Sequence, residues 1–155
     1  MPLDIALADL QSKLGTETHV GEWLTITQER INQFAEATGD FQWIHVDEEK
    51  AKFSPFGSTI AHGYLTLSLI PFLADRVNPD KPLYPDIKMG INYGVNRVRF
   101  PNPLKVGSKI RSRTELQSVE EVKGNGLQMV NKLTIEIEGE AKPACVAETV
   151  SRFYF

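Results

Sequence analysis

The chain has 155 residues, a length typical of one domain, and we expect a single domain over residues 1–155. Its composition is 41% hydrophobic and 24% charged, which excludes a disordered or fibrous protein and fits an ordinary globular one. The net charge is −3, from 17 basic and 20 acidic residues, and no basic patch dominates, so nucleic acid is not an expected partner.

The cysteine content and the apolar runs indicate the compartment. Cys145 is the only cysteine, so no intrachain disulfide can form, and a cytoplasmic location fits. The sequence begins without a basic leader followed by an apolar run, and we expect no signal peptide. No window approaches the roughly 18 uninterrupted apolar residues of a membrane span, so no membrane association is expected.

The first part of the chain has helical signals interrupted by one strand. Residues 3–14 show the apolar spacing of a short helix, and residues 20–26 alternate as a strand does. Thr27 is placed to cap a second helix, which Gly39 ends as a C′ residue. Residues 40–46 are then predicted to form a loop.

The next segment is predicted to hold the longest helix. Asp47 can cap a short helix over residues 48–52, and residues 54–57 break it. Residues 60–77 are apolar nearly all round, which is typical of a buried helix, with Ser58 or Thr59 as its cap. Pro71 is expected to kink this helix.

The second half of the chain is predicted to form strands. The Gly124-Asn125-Gly126 sequence is a strong turn signal between two long alternating segments. A central helix followed by antiparallel strands indicates an α+β domain with a sheet wrapped around a helix. The predicted strands cover residues 87–93, 95–100, 110–122, 127–138 and 144–155.

A carboxylate and an imidazole, Asp40 and His45, lie five residues apart just after the second helix. His62 and Gly63 follow, at the start of the predicted long helix. An acid–base pair can activate a water molecule, and a helix N-terminus can stabilise a developing oxyanion. The pattern therefore favours addition of water beside a carbonyl group.

The motifs around these residues resemble those of the MaoC-like, (R)-specific enoyl-CoA hydratases. The resemblance rests on Ala-Thr-Gly-Asp at residues 37–40, Ile-His-Val-Asp at 44–47 and Ala-His-Gly-Tyr-Leu at 61–65. The segments at residues 96–101 and 106–108 are also similar to this family. The Gln-Trp-Ile-His variant at residues 42–45 is similar to the branch of nodulation protein N.

This resemblance implies a hot dog fold, with an antiparallel sheet around a long central helix, and a homodimer or higher homo-oligomer. It also implies reversible hydration of trans-2-enoyl thioesters to (R)-3-hydroxyacyl thioesters. By position, Asp40 and His45 match the catalytic pair, and Gly63 matches the glycine whose backbone N–H polarises the thioester carbonyl. The substrate would be carried by coenzyme A or acyl carrier protein, without a metal or a redox cofactor.

The chain departs from the family where many members have Asn-Pro, because it has Gln42 and Trp43 there. The change affects pocket shape and substrate choice more than the reaction class. Trp43 and Phe56 could line an acyl pocket or pack in the core. Arg97, Arg99 and Lys105 could contact coenzyme A phosphates. The candidate substrate-binding residues are Gln42, Trp43, Phe56, His62, Arg97 and Arg99.

His62 is expected to support the start of the helix rather than to perform chemistry. The three histidines show no zinc-ligand spacing with cysteines or carboxylates, so no metal site is expected. The sequence does not decide which of Asp40 and His45 acts as base or as acid. Two other functions stay open: a hot dog acyl-CoA thioesterase, and a non-catalytic module that binds acyl thioesters.

Overall fold

The computed structural model describes residues 2–155, and within them one antiparallel sheet packs against short helices. The predicted α+β class is therefore confirmed. The helices are α1 (Leu3–Ser12), α2 (Gln28–Thr38), α3 (Trp43–Val46), α4 (Glu48–Ala51), α5 (Gly63–Ser68) and α6 (Ile70–Leu73). The strands are β1 (Glu17–Val20), β2 (Leu24–Thr25), β3 (Met89–Arg99), β4 (Lys109–Val122), β5 (Gly126–Ile137) and β6 (Cys145–Tyr154).

The sheet has the strand order β1-β4-β5-β6-β3, and β2 pairs with β4. The predicted hairpin between β4 and β5 is confirmed, and its turn places Asn125 at φ 60°. β3 lies at one edge, pairs only with β6 among the described strands, and is exposed along most of its length. This strand borders both the candidate site and a cavity.

One face of the sheet packs against α5 and α6. The side chains of β5 alternate from Leu127 onward, and the inward set includes Leu133 and Ile135, which belong to the same core cluster as residues of the two helices. The Ser112 hydroxyl donates to the Leu73 carbonyl at 2.8 Å, which fixes the end of α6 on β4. Cys145 is fully buried in this core, as expected, and burial raises the pKa of its thiol to about 11.

The central helix is shorter than the sequence predicts. It begins at Gly63 instead of residue 60, because the backbone of Ile60 pairs with Lys105 in an isolated β-bridge. It ends at Leu73 and is divided at Leu69, close to Pro71, which cannot donate a backbone hydrogen bond. Ser58 and Thr59 therefore do not cap it, and His62 occupies the N-cap position.

Two other boundaries differ from the prediction. The strand expected over residues 20–26 is two short strands, separated where the Gly21 N–H donates to the Ser112 carbonyl. The two strands expected over residues 87–100 form the single strand β3, which carries irregular pairing to β6. Within residues 2–155 no helix has the length and apolar character that crossing a membrane requires.

Candidate active site

The end of α2 places Asp40. The predicted cap is confirmed, since the Thr27 hydroxyl accepts the Arg30 N–H at 3.2 Å. Gly39 has φ 80°, a left-handed conformation that glycine adopts without the steric cost of a side chain. The chain then reverses, and the Asp40 carboxylate accepts the Gln42 N–H at 3.3 Å.

His45 lies in a helical turn where the sequence predicts a loop. The turn is α3, and it buries the imidazole so that only 7% of the residue is exposed. The His45 Nδ1 atom lies 2.7 Å from the Ile60 carbonyl oxygen, which can only accept, so Nδ1 carries the proton. The Nε2 atom of neutral His45 is therefore left with a free lone pair.

The surroundings of His45 favour the neutral imidazole. Burial is the largest effect and lowers the pKa of His45 below its usual 6.5, and the neighbouring His62 lowers it further. The hydrogen bond to the Ile60 carbonyl and the charge of Asp40 act in the opposite direction but do not outweigh burial. His45 can thus accept a proton at neutral pH.

His62 connects the start of α5 to Asp40. Its Nε2 atom donates to the Asp40 backbone carbonyl at 2.9 Å, and its ring stacks on His45 with centroids 3.9 Å apart. Its Nδ1 atom is buried without a hydrogen-bond partner among the described residues. These contacts fit the supporting role that the sequence suggests for His62.

The fold brings Asp40, His45 and His62 into one cluster, with a potential ligand atom of each within 4.8 Å of the others. Carboxylates and imidazoles are common metal ligands, so these three side chains could also hold a cation. The sequence shows no metal-ligand spacing for this group, because His62 lies 22 residues after Asp40 and joins it only through the tertiary structure.

Gly63 is the first residue of α5, directly beside this cluster. A Cβ atom at this position would lie 2.9 Å from the Phe100 ring, so only glycine fits without moving that ring. Its N–H has no acceptor among the backbone hydrogen bonds of residues 2–155, as expected for the first turn of a helix. Because α5 has only six residues, its helix dipole is small, and the group that could stabilise an oxyanion here is this single N–H.

Gln28 is a component of the site that the sequence analysis did not identify. Its amide nitrogen donates to the His45 carbonyl at 2.8 Å, and its amide oxygen accepts from the Thr59 hydroxyl at 2.5 Å. One side chain thus ties α2 to both segments that carry the cluster. Its position directly after the Thr27 cap is ordinary for a glutamine and carries no sequence signal.

Replacing Gln28 with leucine should lower the free energy of unfolding by about 1–3 kcal/mol, because two part-buried polar groups lose their partner. It should also lower turnover, since α3 loses a contact that holds His45. Denaturant unfolding and steady-state kinetics would measure both effects. Thr59→Val is the matched control, because it removes one bond to Gln28 but keeps the bond to His45; unchanged turnover in Gln28→Leu would contradict this role.

The predicted substrate-binding residues are more dispersed than the cluster. Gln42 and Trp43 lie at the exposed start of α3, where the Lys50 ammonium sits 4.6 Å from the centre of the Trp43 ring. Phe56 is half-buried in the loop before α5. Arg97, at φ 51°, and Arg99 are exposed near the end of β3.

One contact, made by Phe100, places the end of β3 beside the cluster. Phe100 follows Arg99 directly and approaches the position of Gly63, and its ring meets the ring of Tyr64 edge to face at 6.1 Å. The two arginines therefore stand near the rim of the site. Their exposure is compatible with binding an anionic group that enters from solvent.

Comparison with known proteins identifies relatives along nearly the whole chain. Residues 9–138 match the model of the MaoC like domain. The chain is 48% identical to 3-hydroxyacyl-thioester dehydratase Z of Mycobacterium tuberculosis, over 96% of this chain and 95% of that protein. It is 41% identical to nodulation protein N of Rhizobium leguminosarum bv. viciae, over 98% and 93%.

The fold has a solved counterpart. The crystal structure of a monoamine oxidase regulatory protein from Archaeoglobus fulgius superimposes with a TM-score of 0.74 and 26% identity, covering 88% of each chain. The fold and the relatives define a hot dog protein that acts as a hydro-lyase, a hydratase or dehydratase. The chain belongs to the MaoC-like family, as its motifs predict, with nodulation protein N among its relatives.

Proposed function

We propose that this protein is an (R)-specific enoyl-CoA hydratase that reversibly hydrates trans-2-enoyl thioesters to (R)-3-hydroxyacyl thioesters. The observation that carries the proposal is the buried His45, whose Nε2 lone pair is left free close to the Asp40 carboxylate. The name of the Mycobacterium tuberculosis relative, a 3-hydroxyacyl-thioester dehydratase, supports a thioester substrate.

The proposed reaction uses one water molecule held by Asp40 and His45. One of the two groups takes a proton from the water as its oxygen bonds to C3 of the enoyl group, and the C2–C3 π electrons move toward the thioester. The Gly63 N–H donates to the thioester oxygen and stabilises the enolate. A proton then passes to C2, which completes the addition of water. Because the two groups are coupled, their titration belongs to the pair.

The proposal needs no metal and no redox cofactor, since the acid–base pair and one backbone donor supply the chemistry. Coenzyme A, or the equivalent arm of an acyl carrier protein, enters as part of the substrate in the cytoplasm. Arg97 and Arg99 are proposed to meet its phosphates, and Gln42, Trp43 and Phe56 to contact the thioester or the acyl group. His62 positions the Asp40 backbone.

The test follows the absorbance of the enoyl thioester with crotonyl-CoA and with a medium-chain enoyl-CoA. Loss of absorbance without release of free thiol supports hydration, and an added chelator should leave the rate unchanged. Release of thiol from a saturated acyl-CoA would instead indicate the thioesterase. No change with any substrate, together with thioester binding, would favour the non-catalytic module.

The pH profile should reflect the depressed pKa of His45. With His45 as the acceptor of the water proton, the reaction needs its neutral imidazole, which burial favours, so kcat/KM should stay constant as pH falls through 6.5 and decline only below that value. Protonation of Nε2 at lower pH removes the acceptor for the water proton. A pH profile of kcat/KM measures the acidic limb, and a midpoint at or above 6.5 would argue against His45 as that acceptor.

We also propose a homodimer formed through the exposed edge strand β3. The strand exposes large apolar side chains to solvent, including Ile91, which is 40% exposed, and Tyr93, which is 58% exposed. An uncovered edge of this kind pairs readily with another strand. Sedimentation should give twice the mass of the chain, and Ile91→Lys should shift it toward the monomer; a monomeric wild type would refute this assembly.

A further inference from the structure

A cavity of about 470 Å³ lies between the central helices and the inner face of the sheet. Its apolar wall comes from the helices and from β3, including Leu67, Ile70, Pro71 and Ile91. Leu67 lies four residues after Gly63, which is about 6 Å along a helix. An acyl chain whose thioester sits at Gly63 can therefore reach the cavity by following α5.

The floor of this cavity is polar, which a site for a plain hydrocarbon chain does not need. Thr114 on β4 and Asn131 on β5 are 1% and 4% exposed, and both line the cavity. The Thr114 Oγ1 and Asn131 Oδ1 atoms have no hydrogen-bond partner among the described residues. Buried polar atoms without partners are costly in a folded protein, and the Thr114 hydroxyl can donate to a ligand oxygen, whereas the Asn131 Oδ1 atom can only accept.

Arg76 places a positive charge at the boundary between this cavity and a neighbouring one that Tyr84 lines. It follows α6, lines the cavity and is partly buried. Its guanidinium forms no ion pair among the described residues, and burial lowers its pKa. The adjacent Asp75 lies 3.9 Å from the Lys81 ammonium, so its carboxylate faces another cation.

Asp9, which bonds to Tyr84, is also engaged. Asp9 accepts a hydrogen bond from the Tyr84 hydroxyl at 2.6 Å and pairs with the Lys13 ammonium at 2.7 Å. Tyr84 is the residue whose charge interaction reaches Arg76. A partly buried cation whose neighbouring acids pair elsewhere favours an anionic ligand in the adjacent cavity.

We propose that the cavity binds the distal end of an acyl chain that carries a carboxylate, so that the preferred substrates are ω-carboxyacyl thioesters. Arg76 pairs with the carboxylate, and the Thr114 hydroxyl donates a hydrogen bond to one of its oxygens. The assignment rests on the proposed function for the position of the thioester. It adds the chemical class of the acyl group, for which the apolar wall supplies the middle of the chain.

The test measures binding of two saturated thioesters, octanoyl-CoA and its ω-carboxy analogue, by isothermal titration calorimetry. Neither ligand has a double bond to hydrate, so the result does not depend on turnover. The ω-carboxy ligand should bind wild type at least about tenfold more tightly, as expected for a charge-assisted hydrogen bond. Arg76→Met should remove this preference while affinity for octanoyl-CoA stays similar.

Lys132→Met is the matched control, because Lys132 follows Asn131 on β5 and points away from the cavity into solvent. It removes the same charge and should keep the preference. Equal affinity of wild type for the two ligands, as for a cavity filled by water alone, would overturn the proposal. So would an equal loss for both ligands in Arg76→Met.

The polar floor gives a second test that separates binding from folding. Thr114→Val combined with Asn131→Leu should leave thermal stability equal or higher, because the unpaired polar atoms are gone. The same variant should lose most of the preference for the ω-carboxy ligand. A retained preference would contradict the role of the floor. Selective binding without hydration of either enoyl analogue would refute the proposed function but not this inference.

Discussion

Asp40→Asn should lower kcat for the proposed enoyl-thioester hydration by about 10²–10⁴-fold while the chain stays folded, because it removes one member of the proposed acid–base pair. The asparagine oxygen can still accept the Gln42 N–H, so the turn after α2 is retained. The amide can neither take a proton from the water nor deliver one to C2. His45→Ala should cause a loss of similar size, since it removes the free Nε2 atom.

Steady-state kinetics and circular dichroism would measure turnover and folding side by side. Asp47→Asn is the matched control, because Asp47 belongs to the same motif but caps α4 by accepting the Lys50 N–H, a role that asparagine also fills. Its turnover should stay near that of wild type. A folded Asp40→Asn protein with near-normal turnover would remove Asp40 from the mechanism.

Gly63→Pro should lower kcat by about 10²–10³-fold, because it deletes the N–H proposed to hold the enolate oxygen. The backbone is suited to this substitution. Gly63 is the first helical residue, where proline is well tolerated, and His62 before it has φ −58° and ψ 134°, which proline allows. The loss should therefore come from the donor rather than from a broken helix.

The contact with Phe100 must be separated from the loss of the N–H, since any side chain at position 63 meets that ring. Both Gly63→Pro and Gly63→Ala should be made together with Phe100→Ala, which opens the space. The Gly63→Ala/Phe100→Ala double variant keeps the backbone N–H at position 63, and the Gly63→Pro/Phe100→Ala double variant lacks it. If the two double variants turn over equally well, the Gly63 N–H is not the oxyanion donor.

The features that local sequence determines were predictable. The Thr27 cap, the left-handed Gly39 and the Asp47 cap each depend on contacts within four residues, and all three occur as expected. The β4–β5 hairpin likewise follows from its glycine-containing turn. The family motif also placed Asp40 and His45 in one region, and the structure brings their side chains together.

The features that depend on distant contacts were not predictable. The long helix was expected to begin at residue 60, but the Ile60 N–H donates to the Ile44 carbonyl, and no local pattern encodes that pairing. The predicted loop before it contains α3, whose His45 ring is held by the Ile60 carbonyl. Gln28 acts through residues 17 and 31 positions away, beyond the reach of periodicity.

The pairing of Ile60 with α3 links His45 and Gly63, the groups proposed to react, into one local unit. This unit can be conserved while the rest of the pocket changes. Ile60 donates to the Ile44 carbonyl and accepts from the neighbouring His45 ring, and Gly63 follows three residues later. The spacing between the proposed proton acceptor and the proposed oxyanion donor is thus set by a few adjacent bonds. Mutations along Leu67, Ile91 or Arg76 can then alter which acyl groups fit without disturbing that spacing. New substrate preferences can therefore arise in this fold without a change in the reaction that it catalyses.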